Sequence, residues 1–100
     1  MYGTVARMMV KPGHEKDLLA MQKDWDQSRQ PKAAGAVASY VFKSDNAENE
    51  YTLVAIFQDR ASYRANAEDP DQDRWYRDMR SHLESDPEWR DGEVLASEQY

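Results

Sequence analysis

The sequence of 100 residues contains no cysteine. This absence excludes disulfide bonds, thiolate ligands for zinc or iron–sulfur clusters, and a cysteine nucleophile. The four glycines are isolated from one another, so the chain has no glycine-rich loop to hold the phosphates of a nucleotide cofactor. No apolar run approaches the roughly 18 residues that a membrane-spanning helix needs. We therefore predict a protein that uses no cofactor and does not span a membrane.

Basic residues are also scarce, because the chain has 13 lysines and arginines against 19 acidic residues, a net charge of −6. The whole acidic excess lies in residues 51–100, and no basic stripe is present. Such a chain repels phosphate backbones and anionic lipid surfaces, so we expect neither nucleic acid nor a membrane as a partner. The first residues lack a basic region followed by an apolar segment, which predicts a cytoplasmic protein.

The apolar content is sufficient for one core, since 40% of the residues are hydrophobic and 11% are aromatic. We predict one domain over residues 1–100. The apolar spacing predicts strands at 2–10, 36–43, 51–58 and 93–97, and helices at 14–29, 60–66 and 71–84. The order β-α-β-β-α-α-β predicts an α+β, ferredoxin-like fold. Its four-stranded antiparallel sheet carries the helices on one face and the first and third strands at the centre.

The third predicted strand has apolar side chains on both of its faces. The odd-numbered positions place Tyr51, Leu53, Ala55 and Phe57 on one face, and the even-numbered positions place Thr52, Val54 and Ile56 on the other. The helices can cover only one face of the sheet, and an uncovered apolar face would exceed what monomers usually expose. We therefore predict a homodimer packed through the sheet faces. The alternative is a monomer with a moderately apolar surface.

Two residue types suggest chemistry. Arg7 is a lone charge in an apolar strand, so it either binds an anionic or carbonyl ligand or forms an ion pair at the dimer interface. His82 is expected on the apolar side of the last helix beyond Trp75 and Met79, as a general base or as a partly buried residue bonded to the backbone. His14 is expected to be exposed and without a role. Two such distant histidines, with no carboxylate at ligand spacing, predict no metal site.

Aromatic residues are numerous for one small domain, and they either form an ordinary core or wall a pocket for a flat, apolar ligand. They include Tyr40, Phe57, Tyr63, Trp75, Tyr76 and Trp89. Ser39 and Ser62 have no accompanying histidine–carboxylate signature, so nucleophilic catalysis is not expected.

Several segments together resemble the antibiotic-biosynthesis-monooxygenase-like family, whose members form dimeric α/β barrels. VARMMV with KPGHEKDL is similar to the family's opening strand, turn and helix, and YTLVAIF with QDRASYRANAEDP is similar to its third strand and next helix. WRDGEVLAS is similar to the final strand. The resemblance covers nearly the whole chain and implies a homodimer with a ligand cleft between the sheet and the helices of each subunit.

Three departures from the family pattern argue against haem degradation. Asn66 stands where many members have a histidine or a tryptophan, Tyr76 stands where haem-degrading members have an iron-ligating histidine, and the first strand lacks their asparagine. The resemblance then implies cofactor-independent oxygenation, in which Asn66 or Arg7 stabilises an oxyanion and His82 takes a proton. The candidate catalytic residues are His82 and Asn66, and the candidate substrate contacts are Arg7, Tyr40, Trp75 and Tyr76.

Three functions are therefore open. The chain is a cofactor-independent monooxygenase acting on a small aromatic or polyketide-like substrate, a non-catalytic dimeric barrel that binds a small apolar ligand, or a structural dimer without a cleft. The monooxygenase function requires Asn66, Trp75 and His82 to converge on one solvent-connected cavity.

Overall fold

The computed structural model describes residues 1–100 as four strands and three α-helices in the order β-α-β-β-α-α-β. The strands are β1 (Tyr2–Met9), β2 (Ala36–Lys43), β3 (Glu50–Phe57) and β4 (Glu88–Glu93). The helices are α1 (Glu15–Asp24), α2 (Arg60–Ala67) and α3 (Pro70–Arg80). All neighbouring strands pair antiparallel in the order β2-β3-β1-β4. The predicted α+β, ferredoxin-like fold with β1 and β3 at its centre is confirmed.

The first predicted helix, over residues 14–29, is divided into two parts. After α1, residues Trp25–Arg29 form a π-helical turn, and Gln30–Lys32 then continue as a 3-10 turn. Pro31 lies in the 3-10 turn, and because its ring nitrogen cannot donate the backbone hydrogen bond that an α-helix requires, the chain does not return to α-helical geometry. The wide turn has a consequence for the site, because it carries Trp25 and the buried Arg29.

The last strand was predicted in the wrong place. It covers Glu88–Glu93 and pairs with β1 from Tyr2↔Glu93 to Arg7↔Glu88, whereas residues 94–100 lie outside the sheet. The polar sequence EWRDGE lacks the apolar alternation of a buried strand because β4 is an edge strand held mainly by its backbone ladder.

The α3 helix also ends four residues earlier than predicted. The chain leaves the helix after Arg80, and Leu83 then forms an isolated antiparallel bridge with Val10, just beyond β1. The Glu84 N–H donates to the Met9 carbonyl oxygen at 2.8 Å. This pairing buries both Val10 and Leu83 at 1% exposure, and it requires an extended backbone that is incompatible with another helical turn.

The helix starts follow the predicted capping chemistry. The Asp59 carboxylate accepts a hydrogen bond from the Ser62 N–H at 2.8 Å and so caps α2. This bond lowers the pKa of Asp59. Asp69 caps α3 in the same way, by accepting from the Asp71 N–H, and Pro70 occupies the first turn.

The hydrophobic core lies between one face of the sheet and the helices. Its fully buried members are Ala6, Met8, Val10, Leu18, Tyr51, Leu53, Met79 and Leu83. The opposite face of the sheet, here called the open face, carries Val5, Tyr40, Phe42, Val54 and Ile56. On the open face, Val5, Tyr40 and Phe42 are each about half exposed. None of the helices is both long enough and apolar enough to cross a membrane.

We expect Leu83→Ala to lower the free energy of unfolding by about 2–4 kcal/mol, because it leaves a cavity in the packed core. Leu95→Ala is the matched control, because Leu95 is 90% exposed and its truncation should change stability by less than about 0.5 kcal/mol. Urea denaturation of both variants checks this expectation, and equal losses of stability would contradict the burial of Leu83.

Candidate functional site

A cavity of about 780 Å³, open to solvent, lies on the helix-covered side of the sheet. This volume is in the range of sites for small-molecule ligands. The aromatic residues that line it are Tyr2, Trp25, Phe57, Tyr63, Trp75, Tyr76 and Trp89. The polar and charged residues include Thr4, Gln22, Asp26, Ser39, Asn66, Gln72, Asp73 and Asp91.

The aromatic side chains form two groups on the walls of the cavity. Tyr63 contacts Tyr2 and Phe57 edge to face, with ring centroids 5.3 Å and 5.7 Å apart. Tyr76 packs against Trp89 of β4 at 5.9 Å. Such ring pairs fix one another's orientation, so the cavity has rigid, flat walls that suit a planar apolar ligand.

Two of the tryptophans are also held by hydrogen bonds. The Trp75 indole N–H donates to the Met21 carbonyl oxygen at 3.1 Å, which ties α3 to α1. The Trp25 indole N–H donates to Gln72 Oε1 at 2.8 Å. Both indole donors are therefore used within the protein, and the rings present only their apolar surfaces to the cavity.

Arg29 does not line the cavity, but it binds two residues that do, and it is only 6% exposed. Its Nη2 donates to Asn66 Oδ1 at 2.9 Å and to Asp69 Oδ2 at 3.3 Å, and its Nε donates to Gln72 Oε1 at 3.3 Å. The guanidinium thus joins the π-helical turn to α2 and α3. A buried charge is tolerated only with such partners.

The contact with Arg29 also fixes the orientation of the Asn66 amide. Arginine has only donors, so the atom facing it must be the amide oxygen of Asn66. The amide nitrogen, with its two N–H donors, is then the group left for the cavity that Asn66 lines. A fixed donor of this kind can stabilise negative charge on a ligand oxygen.

Tyr63 and Asp91 form a second polar group in the cavity. The Tyr63 hydroxyl donates to Asp91 Oδ1 at 2.9 Å. Burial, together with the bond to Asp91 and its charge, raises the pKa of Tyr63 to about 12. Tyr63 therefore stays protonated at neutral pH, and its hydroxyl holds the Asp91 side chain beside the aromatic wall.

The buried hydroxyl of Thr4, on the floor of the cavity, has no hydrogen-bond partner in the protein.

The cavity brings together three of the six candidate residues, namely Asn66, Trp75 and Tyr76. Tyr40 does not line it, because the alternation of β2 places this ring on the open face. Arg7 also lies on the open face. It forms ion pairs with Glu50 of β3 and, at 3.7 Å, with Glu88 of β4. Both ion-pair partners of Arg7 belong to the same chain.

His82 lies outside the cavity. Because α3 ends at Arg80, the chain turns toward the end of β1, and His82 Nδ1 comes within 3.0 Å of His14 Nδ1. Asn66, Trp75 and His82 thus do not converge on one cavity. The fold also brings together two histidines that are 68 positions apart, which sequence spacing alone had treated as too distant to share a site.

Sequence reasoning missed Arg29, Gln72 and Asp91. Arg29 follows the pattern of a basic residue at a helix end, which is usually solvent-exposed. The nearby Pro31 indicates that the α-helix ends close to Arg29. It does not indicate that the Arg29 side chain is buried. Asp91 was missed because the strand that carries it was placed too late in the chain.

The fold and the cavity define a ferredoxin-like α+β protein with a solvent-open cavity between its sheet and its helices. The family model for antibiotic biosynthesis monooxygenase matches residues 1–78. The chain therefore belongs to the antibiotic biosynthesis monooxygenase family, and the resemblance drawn from its segments is confirmed.

Solved structures share the fold at low sequence identity. A candidate antibiotic biosynthesis monooxygenase from Caulobacter crescentus CB15 superposes with a TM-score of 0.82 and 13% identity, covering 95% of this chain and 90% of that one. Another from Bordetella bronchiseptica gives 0.77 and 20%, covering 95% and 97%. SnoaB, a cofactor-independent oxygenase from Streptomyces nogalater, gives 0.75 and 15% in a mutant form, covering 96% and 94%. No curated protein matches the chain.

We expect Arg29→Ala to destabilise the protein by about 1–3 kcal/mol, because it leaves the half-buried amide oxygen of Asn66 without its donor and removes the link from the π-helical turn to α2 and α3. Arg74→Ala is the control, since Arg74 forms an exposed ion pair with Asp71 and such pairs contribute about 0–1 kcal/mol. Chemical denaturation measures both changes. An Arg29 variant no less stable than the Arg74 variant would contradict the network.

Proposed function

We propose that this protein is a cofactor-independent monooxygenase that oxidises a small, flat, hydroxylated aromatic substrate of the anthrone or dihydroxynaphthalene type. The observation that carries the proposal is the cavity itself, which combines aromatic walls with Asn66, a lining residue whose amide oxygen is bound by Arg29 so that its two N–H donors remain available to a ligand. Family membership and the structural likeness to SnoaB support the same reaction class. Fold alone does not determine the substrate, so the proposal rests on the cavity.

The reaction needs no redox group from the protein, because the substrate supplies the electrons. Loss of a proton from an anthrone-type substrate gives a carbanion, and its negative charge is shared with the carbonyl oxygen. The carbanion reduces O₂, a carbon–oxygen bond forms, and the resulting peroxide anion takes back the proton that the base removed. The resulting hydroperoxide loses water, which leaves a new carbonyl at that carbon. One oxygen atom is retained in the product and the other leaves as water.

Each cavity residue has a definite task in this reaction. Trp75 and Tyr76 hold the ring system by apolar and stacking contact. The Asn66 amide donates to the substrate oxygen on which negative charge develops. Asp91 accepts the substrate proton in place of His82, which lies outside the cavity. Tyr63, protonated because of its raised pKa, keeps the Asp91 carboxylate in position.

The second candidate function is binding of the same kind of ligand without catalysis. It is favoured by the composition of the cavity, which contains no histidine to act as a general base. Both functions predict ligand binding, which quenching of tryptophan fluorescence can follow. Only the monooxygenase predicts oxygen consumption.

We expect Asn66→Ala to lower kcat/KM for oxygen consumption roughly 100-fold, which is typical when one oxyanion donor is removed. Ligand affinity should change much less. Asn46→Ala is the matched control, because Asn46 lies in the exposed turn between β2 and β3. An oxygen electrode with anthrone-type and dihydroxynaphthalene-type compounds makes the measurement. If the wild type binds ligand tightly but consumes no oxygen, the protein binds the ligand without catalysis. If Asn66→Ala consumes oxygen as fast as the wild type, Asn66 has no role in the reaction.

We also propose that a second copy of the chain covers the open face. Val5, Tyr40 and Phe42 give this face an apolar centre, and the helices all lie on the other side of the sheet. Arg7 is the only charged residue of β1, and its ion pairs with Glu50 and Glu88 neutralise its charge. Two such faces packed together would remove the exposed apolar area from water.

Sedimentation should therefore give twice the chain mass of 11.6 kDa at micromolar concentration. We expect Tyr40→Lys to shift the protein toward the single chain, because it places a charge in the interface. Tyr100→Lys, at the fully exposed end of the chain, should leave the mass unchanged. A wild-type protein that sediments as a single chain would contradict the dimer.

A further inference from the structure

His14, Asp17 and His82 form a cluster of metal-ligand side chains outside the cavity. The two Nδ1 atoms of the histidines are 3.0 Å apart, and Asp17 Oδ2 lies 3.5 Å from His14 Nδ1 and 3.9 Å from His82 Nδ1. A point equidistant from these three atoms lies about 2.0 Å from each, which is the length of a zinc–nitrogen or zinc–oxygen bond.

The backbone holds the two histidines in this position. The Lys11 N–H donates to the His82 carbonyl oxygen at 2.9 Å, and the Lys11 carbonyl oxygen accepts from the His14 N–H at 3.0 Å. Gly13, with φ of +82°, permits the turn that returns the chain toward His82. Asp17 follows one turn later on α1 and presents its carboxylate on the same side as His14. The three ligands are therefore arranged by the fold before any ion binds.

We propose that His14, Asp17 and His82 bind one divalent first-row transition metal ion, of which zinc is the representative. Two imidazole nitrogens and one carboxylate oxygen suit such ions better than magnesium or calcium, which prefer oxygen ligands. The side chains are 38%, 51% and 21% exposed, respectively, so an ion can enter from solvent and water can complete its coordination. This site departs from the expectation of no metal that the sequence spacing gave.

The bound ion would link the start of α1 to the connection between α3 and β4. Binding to the folded state alone raises the unfolding temperature, and the rise grows with the logarithm of the ion concentration divided by the dissociation constant. The site lies apart from the aromatic cavity and uses none of its residues. The inference is therefore independent of the proposed oxygenase reaction, and either can fail without the other.

Isothermal titration of the metal-free protein with zinc chloride tests the proposal, and thermal unfolding with zinc or with EDTA gives a second readout. We expect one zinc ion per chain, a higher unfolding temperature with zinc, and no comparable effect of magnesium. His14→Gln and His82→Gln should each weaken zinc binding at least tenfold. Asp78→Asn, an exposed carboxylate of α3, is the control and should bind zinc like the wild type.

Unfolding curves in EDTA show whether each variant is folded before its zinc affinity is compared. If the wild type binds no zinc at millimolar concentration, the two rings share only a hydrogen bond and the proposal is overturned. It is equally overturned if folded His14→Gln and His82→Gln variants bind zinc as tightly as the wild type, because binding would then occur elsewhere on the acidic surface.

Discussion

The antiparallel pairing of β1 with β3 on one side and β4 on the other places every functional feature of this protein. It sets the floor of the cavity on one face and the apolar open face on the other. The pairing continues beyond the strand, where Val10 bridges to Leu83. That short extension ends α3 and turns His82 away from the cavity. One ladder of backbone hydrogen bonds thus determines which side chains can meet.

Much of the fold follows from local patterns in the sequence. The bounds of β2 were predicted to the residue, and the starts of α2 and α3 were predicted to within one residue. These features depend on interactions within a few residues. The alternation of β3 likewise separated the side chains of its two faces, because a strand has a side-chain period of two.

The candidate site was predicted only in part, since its polar groups depend on contacts between distant segments. Trp75 follows helical periodicity and was found from it, whereas Tyr76 was named for its aromatic ring and from the family resemblance. Arg29, by contrast, is buried through bonds to residues 37 to 43 positions away. His82 was extrapolated along a helix that stops at Arg80. Local sequence patterns contain no information on such contacts. Packing between distant segments overrides the local preference of the chain for helix at these positions.

The edge strand β4 has a further consequence for how copies of this chain meet. Four of its six residues are charged, namely Glu88, Arg90, Asp91 and Glu93. Charged side chains discourage an unpaired strand from recruiting strands of other molecules. This edge of the sheet is thereby protected from adding strands of other molecules and from growing into fibrils. The proposed second copy would then meet the chain through the open face and not through β4.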